Sequence, residues 1–323
     1  MFWVAPNVEE AEEAREANEM KRTEITGDIQ LDPPQLRLVG YHSFVNIINV
    51  LVIELERLEG ELEKPDLFRS ARQQLLDLID AFREEEAQLP LMQHLNEMRL
   101  LLQANLEEHA PEATQIMKIL EVAHMRIEEM IARQSQGDCW VRMSFARLRH
   151  SFELVFTVIS ELARDRYRIT FREETPRTKP PRDEAVPVYR IILELASPDG
   201  ETIHMPLVLQ DVLRDLTANA RKYTEPGGRI VARLEETARE LILTVRDNGR
   251  GIHPEEIPRV VRFGERGSNT APSETRGGGF GLTKAHLVTR TLGGRMWITS
   301  ATEGPEGGTT VEIRVPQPPL PGQ

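Results

Sequence analysis

Three polar side chains of one predicted helix have the types and spacing that suit a metal-bound phosphate chain. Asp215, Asn219 and Lys222 lie at positions i, i+4 and i+7 of the segment LRDLTANARKYT. Apolar residues recur at helical spacing in and before this segment, so the three side chains lie along one stripe of an amphipathic helix. A carboxylate, an amide and a cation there suit Mg²⁺, its water and a phosphate chain. The alternative is a solvated helix face, which the triplet by itself does not exclude.

A strand followed by a glycine-containing turn forms a second motif. The segment LILTVRD is apolar and β-branched and ends at Asp247, and Asn-Gly-Arg-Gly follows. Gly249 and Gly251 let the backbone turn tightly and approach a flat ligand. An ionised carboxylate only accepts hydrogen bonds, so Asp247 suits the exocyclic amine of a purine. Taken alone, however, Asp-Asn-Gly is more often just a turn.

A glycine-rich loop before a predicted helix forms the third motif, RGGGFGLTKAH. Gly277, Gly279 and Gly281 have G-x-G-x-G-L spacing, which ends on Leu282. The N–H groups and dipole at such a helix N-terminus favour phosphate oxygens. The motif is neither a dinucleotide fingerprint nor a P-loop, because the βαβ context of the first and the Gly-Lys-Ser/Thr of the second are missing. A lone glycine triplet is weak evidence.

Taken in this order, the three motifs and a closing GGTTVEIRV resemble the ATP-binding domain of the sensor histidine kinases. The wider superfamily includes type II topoisomerases and the mismatch-repair and heat-shock ATPases. The sequence NARKYT, with its basic and aromatic ending, favours the kinase branch. The resemblance covers the chain from about residue 188 onwards and implies ATP and Mg²⁺ as cofactors.

The resemblance also implies a role for each site residue. Asn219 is expected to ligate Mg²⁺, and Asp215 occupies a position usually held by Asn or Glu. Lys222 is expected to contact the phosphates, Tyr223 to flank the nucleotide and Asp247 to hold the adenine amine. The other implied nucleotide-binding positions are Gly249, Gly251, Gly277, Gly279, Gly281, Leu282 and Thr309. Among them, the last three glycines hinge a lid, and Thr309 assists Asp247 through a water.

The lid is predicted between Gly264 and Gly277, where the chain is polar and contains glycine. Arg266 and Arg276 reach phosphates or are solvated lid charges. Phe263 packs the lid onto the N-terminal helices or belongs to an ordinary core; these alternatives stay open.

Composition narrows the functional classes. The chain has 323 residues, of which 40% are hydrophobic and 28% charged, an ordinary composition for a two-domain soluble protein. A net charge of −12 argues against nucleic-acid binding. The single cysteine, Cys139, excludes an internal disulfide and is expected to be a small buried residue. We expect no membrane span, because no stretch reaches the roughly 18–20 apolar residues needed, and therefore a cytoplasmic protein.

The predicted fold class is α+β, an N-terminal helical bundle followed by a C-terminal α/β sandwich. The predicted division is an acidic lead (1–33), a helical bundle (34–167), a linker (168–187), an ATP-binding domain (188–318) and a tail (319–323). Bundle helices are predicted at 35–63, 67–88, 90–109, 112–135 and 139–167. The first helix is apolar nearly all round, which indicates a dimer interface and a homodimer.

His42 lies in that first helix, and Asn46 follows four residues later on the same face. A neutral imidazole can attack the γ-phosphoryl group of ATP, and the amide can orient the acceptor. The segment resembles the phosphoacceptor box of the histidine kinases, although Ser43 stands where the family has an acidic residue. The alternative is a hydrogen-bonded histidine at a bundle surface. A rival, His150, has Leu154 four residues on and is expected to be structural.

These observations favour a soluble, dimeric histidine kinase that phosphorylates His42 and then an aspartate on a separate response regulator. Its input would come from a separate sensor partner. Three alternatives stay open: an ATP-switched scaffold without catalysis, a response-regulator phosphatase that uses Asn46, and a serine kinase.

Overall fold

Two hydrophobic cores, one between helices and one under a sheet, divide the chain. The structure is a computed structural model, and it describes residues 22–83, 96, 99–100, 110–136, 139–172, 186–269, 278–302 and 307–318. Helices dominate the N-terminal half, and a mixed sheet with helices follows. The predicted α+β fold class is confirmed.

Four long helices form the described part of the bundle. They are α1 (Pro33–Glu61), α2 (Arg69–Arg83), α3 (Ala110–Gln136) and α4 (Phe145–Ala163). A capping box starts α1: the Asp32 carboxylate accepts a hydrogen bond from the Gln35 amide nitrogen at 2.8 Å, and the Gln35 side chain accepts one from Asp32 N at 3.1 Å. The prolines that follow Asp32 suit the first turn, where their missing N–H costs nothing.

The bundle core lies along one side of α1. Leu51, Leu55 and Leu58 are fully buried there, against α2 and α3. Ile53 on the opposite side and Leu36 near the start of the helix are each about half accessible to solvent. By length and composition, α1 could also cross a membrane. Our expectation that no segment is apolar enough for this was therefore too strong.

The C-terminal sheet has seven strands in the order β1-β8-β9-β7-β6-β4-β3. Their bounds are β1 (Arg22–Glu24), β3 (Arg168–Thr170), β4 (Val188–Ala196), β6 (Arg229–Glu236), β7 (Glu240–Asp247), β8 (Arg295–Ala301) and β9 (Gly308–Pro316). The pairs β3–β4 and β4–β6 are parallel and the others are antiparallel. Two further strands, β2 (Trp140–Ser144) and β5 (Thr202–Pro206), form a separate antiparallel pair.

Helices α5 (Val208–Tyr223) and α7 (Gly281–Thr291) pack against the sheet and against each other, and the short α6 (Ile257–Val260) lies between them in sequence. Leu209, Leu213 and Leu216 recur along α5 and are buried in the sheet core. The opposite stripe of α5 therefore faces away from the sheet and is available for polar contacts.

Three strands occur where the sequence predicted other structure. β1 lies in the acidic lead and pairs with β8, and β3 lies in the predicted linker and pairs with β4. β2 occupies the start of the helix predicted at 139–167. That helix begins only at Phe145, because Ser144 caps it by accepting a hydrogen bond from Arg147 N at 3.3 Å. The division into domains stays a prediction.

Several predicted features lie outside the described residues. They are residues 1–21 of the acidic lead, most of the helix at 90–109, most of the linker, lid residues 270–277 and the tail. Cys139 is described and is exposed, so the expectation that it is buried was wrong. It lies just before β2 rather than inside a helix, so no core surrounds it.

Candidate active site

One pocket brings together residues from both halves of the chain. From the sheet domain its lining includes Asp215, Asn219, Lys222, Tyr223, Asp247, Gly251, Gly279, Gly281, Leu282 and Thr309. From the bundle it includes His42 and Asn46. Most of the predicted nucleotide-binding residues thus line the same cavity as the predicted phosphoacceptor, His42, and the predicted orienting residue, Asn46. Gly277 lies outside the described residues.

Asp247 ends β7 and lies at the buried side of the pocket. Its Oδ1 accepts hydrogen bonds from Gly249 N at 2.8 Å and from Thr309 N at 3.3 Å. Burial raises the pKa of the Asp247 carboxyl to about 6, against the lowering effect of these two hydrogen bonds. The contact with Thr309 is thus made directly by its backbone, and its hydroxyl lies 2.8 Å from the Ser300 hydroxyl.

The glycines after Asp247 are required by the packing of the chain itself. A Cβ on Gly249 would lie 2.4 Å from the Tyr223 carbonyl oxygen. Gly251 has φ of +67°, and a Cβ there would lie 2.1 Å from the Ala301 carbonyl oxygen. These contacts are with backbone atoms, which cannot move aside without shifting a strand or a helix end. Any larger residue would therefore distort the pocket wall even without a ligand.

Asn219 and Gly281 meet where α5 crosses the start of α7. A Cβ on Gly281 would lie 2.2 Å from the Asn219 side-chain nitrogen, so only glycine leaves the amide in this position. Lys222 lies one turn further along α5, also in the pocket wall. Burial lowers the pKa of the Lys222 ammonium, and the Arg221 charge adds to this. The resulting poorly solvated cation is suited to an anionic ligand.

Asp215 was expected to lie beside a metal-bound phosphate chain, but its carboxylate contacts other side chains of the protein. Its Oδ1 accepts a hydrogen bond from the Ser43 hydroxyl at 2.6 Å, and Lys284 Nζ lies 2.8 Å from its Oδ2. Each carboxylate oxygen therefore already has a protein partner, although Asp215 still lines the pocket.

His42 is held by one polar and one aromatic contact. The Asn46 side-chain nitrogen lies 3.1 Å from His42 Nε2. An amide nitrogen only donates, so Nε2 accepts this hydrogen bond and the proton of the neutral ring is on Nδ1. The ring also meets Phe280 edge to face, with centroids 4.9 Å apart, and Phe280 stacks on Phe263 at 4.8 Å.

Phe280 is a site residue that sequence reasoning missed. It lies inside GGGFGL, a segment whose interest was the spacing of its glycines. A lone aromatic side chain in a polar loop was the available signal. Phe263 was predicted either to pack the lid onto the helices or to join a core, and it contacts the bundle through Phe280.

The surroundings of His42 keep its imidazole neutral. Burial lowers the pKa of His42 below 6.5, the Asp215 charge opposes this, and the Lys222 and Lys284 charges lower it further. A neutral ring can act as a nucleophile at neutral pH. His150, in contrast, has a side chain that is 70% exposed, lies 3.7 Å from Glu121 and is not part of the pocket.

The base of the predicted lid is fixed by hydrogen bonds. The Arg250 guanidinium donates to the Asn269 carbonyl at 3.2 Å, and the Asn269 side chain donates to the Gly251 carbonyl at 2.9 Å. Arg266 lines the pocket, consistent with the predicted approach to phosphates, whereas Arg276 lies outside the described residues.

Comparison with known proteins finds relatives for the C-terminal part of the chain. Residues 205–319 match the family described as histidine kinase-, DNA gyrase B-, and HSP90-like ATPase. The chain is 40% identical over 109 residues to sensor histidine kinase Hik2 of Thermosynechococcus vestitus, covering 34% of this chain and 28% of that one. It is 33% identical over 108 residues to histidine protein kinase DivJ of Caulobacter vibrioides, covering 33% and 17%. The chain thus spans less than a third of the length of either relative.

Solved structures give a weaker likeness. The mycobacterial sensor histidine kinase MprB is 19% identical, with 56% of this chain and all of that chain covered, at a TM-score of 0.39. A score at this level carries no conclusion about function. The two curated relatives match 34% and 33% of this chain, and the family match covers residues 205–319, outside the bundle that carries His42.

Proposed function

We propose that this chain is an ATP-dependent histidine autokinase of two-component signalling, because residues 205–319 match the histidine kinase-, DNA gyrase B-, and HSP90-like ATPase family. One observation carries the proposal: His42 lines the same pocket as Asn219, Lys222 and Asp247. The nucleophile and the nucleotide-binding residues then act on one ligand, so no large domain movement is needed to bring them together.

The pocket offers different groups to the two ends of ATP, the adenine base and the phosphate chain. The buried Asp247 carboxylate accepts a hydrogen bond from the adenine amine, with Tyr223 flanking the base. Lys222 and Arg266 supply positive charge for the phosphates, and the N-terminus of α7 supplies free N–H groups. Mg²⁺ would bind the phosphate chain and the Asn219 side-chain oxygen, where it neutralises negative charge. These donors suit a hard, oxygen-seeking cation.

The transfer step starts from the neutral imidazole of His42. Its Nε2 lone pair attacks the γ-phosphorus, a P–N bond forms, and the bond to the β,γ-bridging oxygen breaks to release ADP. Asn46 fixes the ring tautomer by donating a hydrogen bond to Nε2. This hydrogen bond breaks as the phosphorus approaches, which frees the Nε2 lone pair for the attack. The ring stands against Phe280, which limits its rotation. The phosphoryl group then passes to an aspartate of a response regulator.

The apolar exterior of α1 supports two further parts of the proposal. Leu36, Leu38 and Ile53 are exposed on it and are available for a second copy of the chain, as in a homodimer. We assign α1 to the bundle rather than to a membrane because His42 and Ser43 contact the ATPase domain and Leu55 lies in a protein core. A site that uses ATP belongs in the cytoplasm, where a separate sensor would supply the signal.

A second candidate function is the reverse task, dephosphorylation of the response regulator. The observation in its favour is the position of Asn46, whose amide reaches the rim of the pocket beside His42 and can orient a hydrolytic water. The scaffold alternative has no such observation in its favour, because an ATP switch needs neither His42 nor Asn46 in the pocket.

Labelling with ATP tests the proposal. The chain is incubated with Mg²⁺ and either γ-labelled or α-labelled ATP. An autokinase acquires an acid-labile, alkali-stable label from γ-labelled ATP alone, as expected for phosphohistidine. Nucleotide binding without any covalent label would contradict the autokinase and favour the ATP-switched scaffold. Acid-stable label on a partner would indicate a serine kinase. Loss of label from a phosphorylated regulator upon addition of unlabelled chain would support the phosphatase.

A further inference from the structure

A cluster of charged side chains joins the bundle to α5 of the ATPase domain. Asp211 and Asp215 lie one turn apart on α5 and are both largely buried. Lys284 of α7 lies 2.8 Å from Asp215 Oδ2 and 3.7 Å from Asp211 Oδ2. From α3 of the bundle, Arg133 lies 2.8 Å from Asp211, and Arg126 pairs with Asp211 while approaching Asp215 to 4.0 Å.

Ser43 connects the helix of His42 to this cluster. Its hydroxyl donates to Asp215 Oδ1 at 2.6 Å, and Lys284 Nζ lies 3.5 Å from its oxygen. Ser43 follows His42 directly in α1, and successive residues of an α-helix are about 100° apart around the axis. A fixed contact at Ser43 therefore sets the rotation of α1 and, with it, the direction of the His42 ring.

The charges around Asp215 make this contact stronger than a hydrogen bond between neutral groups. Burial tends to raise the pKa of Asp215, but Lys284 and Arg126 outweigh it and lower the pKa below its usual value. The carboxylate is therefore ionised at neutral pH and accepts a short, charge-assisted hydrogen bond.

We propose that Ser43 is a positioning residue for autophosphorylation, and that Asp215, held by Lys284 and Arg126, is its receptor on the ATPase domain. Ser43 itself does not touch the phosphoryl group. It acts through His42, by keeping the ring against Phe280 and its Nε2 beside Asn46 in the pocket wall. Arg126 belongs to α3, so this assigns a role to a helix between the first bundle helix and the ATPase domain. The inference rests on the proposed autokinase function.

A double-mutant cycle tests the pairing. The variants are Ser43→Ala, Asp215→Asn and the double variant, with Ser43→Thr as the conservative change. A charge-assisted hydrogen bond is worth about 1.5–3 kcal/mol, so Ser43→Ala should slow label incorporation at saturating ATP about tenfold or more. Its Kd for ATP should stay within about twofold of wild type, because Ser43 does not line the pocket. Ser43→Thr keeps the hydroxyl and should keep most of the rate.

The double variant should be no slower than Asp215→Asn alone, since both changes break one contact. Ser70→Ala, at an exposed serine of α2, is the matched control and should label like wild type. Circular dichroism checks that each variant is folded. If Ser43→Ala misfolds, Asp215→Asn removes the charged acceptor instead, and Ser43→Thr remains the conservative control. Wild-type rates in Ser43→Ala, or additive losses in the double variant, would overturn the inference while leaving the autokinase intact. If the wild-type chain acquires no label, both the autokinase proposal and the inference about Ser43 are wrong.

Discussion

At the scale of single residues, the pocket depends on groups whose ordinary chemistry has been changed by burial. Asp247 has a raised pKa, while His42 and Lys222 have lowered ones. In each case burial, the largest cause, disfavours the charged form. A ligand that supplies a hydrogen-bond donor to Asp247 and negative charge to Lys222 compensates both residues at once. ATP provides this combination.

The first prediction concerns Asp247 and pH. The adenine amine needs the ionised carboxylate, so nucleotide affinity is complete above the pKa of about 6 and falls as pH drops through it. We expect the Kd for ADP to rise about tenfold between pH 7 and pH 5, measured by calorimetry. Asp247→Asn removes this titration and leaves that of the phosphates, so it serves as the control. An equally steep pH dependence in Asp247→Asn would contradict the assignment.

The second prediction concerns Gly281. A Cβ there meets the end of the Asn219 side chain, which can swing away, so Gly281→Ala displaces the amide without disturbing the backbone. We expect the Kd for Mg²⁺-ATP to rise about tenfold or more, while the circular dichroism spectrum stays unchanged. Gly60→Ala is the control, because a Cβ on Gly60 meets no atom within 4 Å. Wild-type affinity in Gly281→Ala would show that Asn219 does not contact the ligand.

At the scale of elements, α1 has three tasks. One side fills the bundle core, and Ser43 and His42 contact the ATPase domain near the start of the helix. Apolar side chains are also exposed, such as Ile53, which lies about three turns beyond His42 on the same face. These tasks explain why apolar residues occur nearly all round the helix, and why its length and composition would also suit a membrane span. Core packing in water should therefore govern its stability.

The third prediction separates the two sides of α1. Leu55 is fully buried, so Leu55→Ala should lower the free energy of unfolding by about 2–5 kcal/mol in denaturant titrations. Ile53 is about half exposed, so Ile53→Ala should change that free energy by less than about 1 kcal/mol. Equal losses at the two positions would contradict this orientation of α1.

The elements also show what could be predicted from sequence. Asp247, Asn219 and the glycines belong to short motifs, in which neighbours along the chain determine the geometry. The contacts of Ser43 with Asp215 and of His42 with Phe280 join segments far apart in sequence, so no local pattern reveals them. The short strand β1 has a similar origin, because three polar residues become a strand only when β8 offers its edge.

At the scale of the whole molecule, the segments before and after the bundle both join the C-terminal sheet, as strands β1 and β3. β1 pairs with β8, Ile25 is buried in the sheet core, and the Gly27 carbonyl lies 2.8 Å from His286 Nε2. A few residues later, Asp32 caps α1. The start of α1 is therefore tied to the ATPase domain of the same chain, and His42 faces the pocket of that domain.

The fourth prediction is that transfer occurs within one chain. Two differently tagged chains, His42→Ala and Asn219→Ala, are coexpressed, and mixed pairs are purified through both tags. We expect neither chain to be labelled, because each lacks one part of its own site. If no mixed pairs form, the wild-type rate per chain should not depend on protein concentration. Label on the Asn219→Ala chain would establish transfer between subunits.

The measurement that tests the central claim most directly is the location of the phosphoryl group. Wild type, His42→Ala, His150→Ala and Asn219→Ala are incubated with Mg²⁺ and γ-labelled ATP, and acid-labile label is quantified. We predict label on wild type and His150→Ala, and none on His42→Ala or Asn219→Ala. Label that survives in His42→Ala would contradict the claim that the histidine in the pocket is the acceptor.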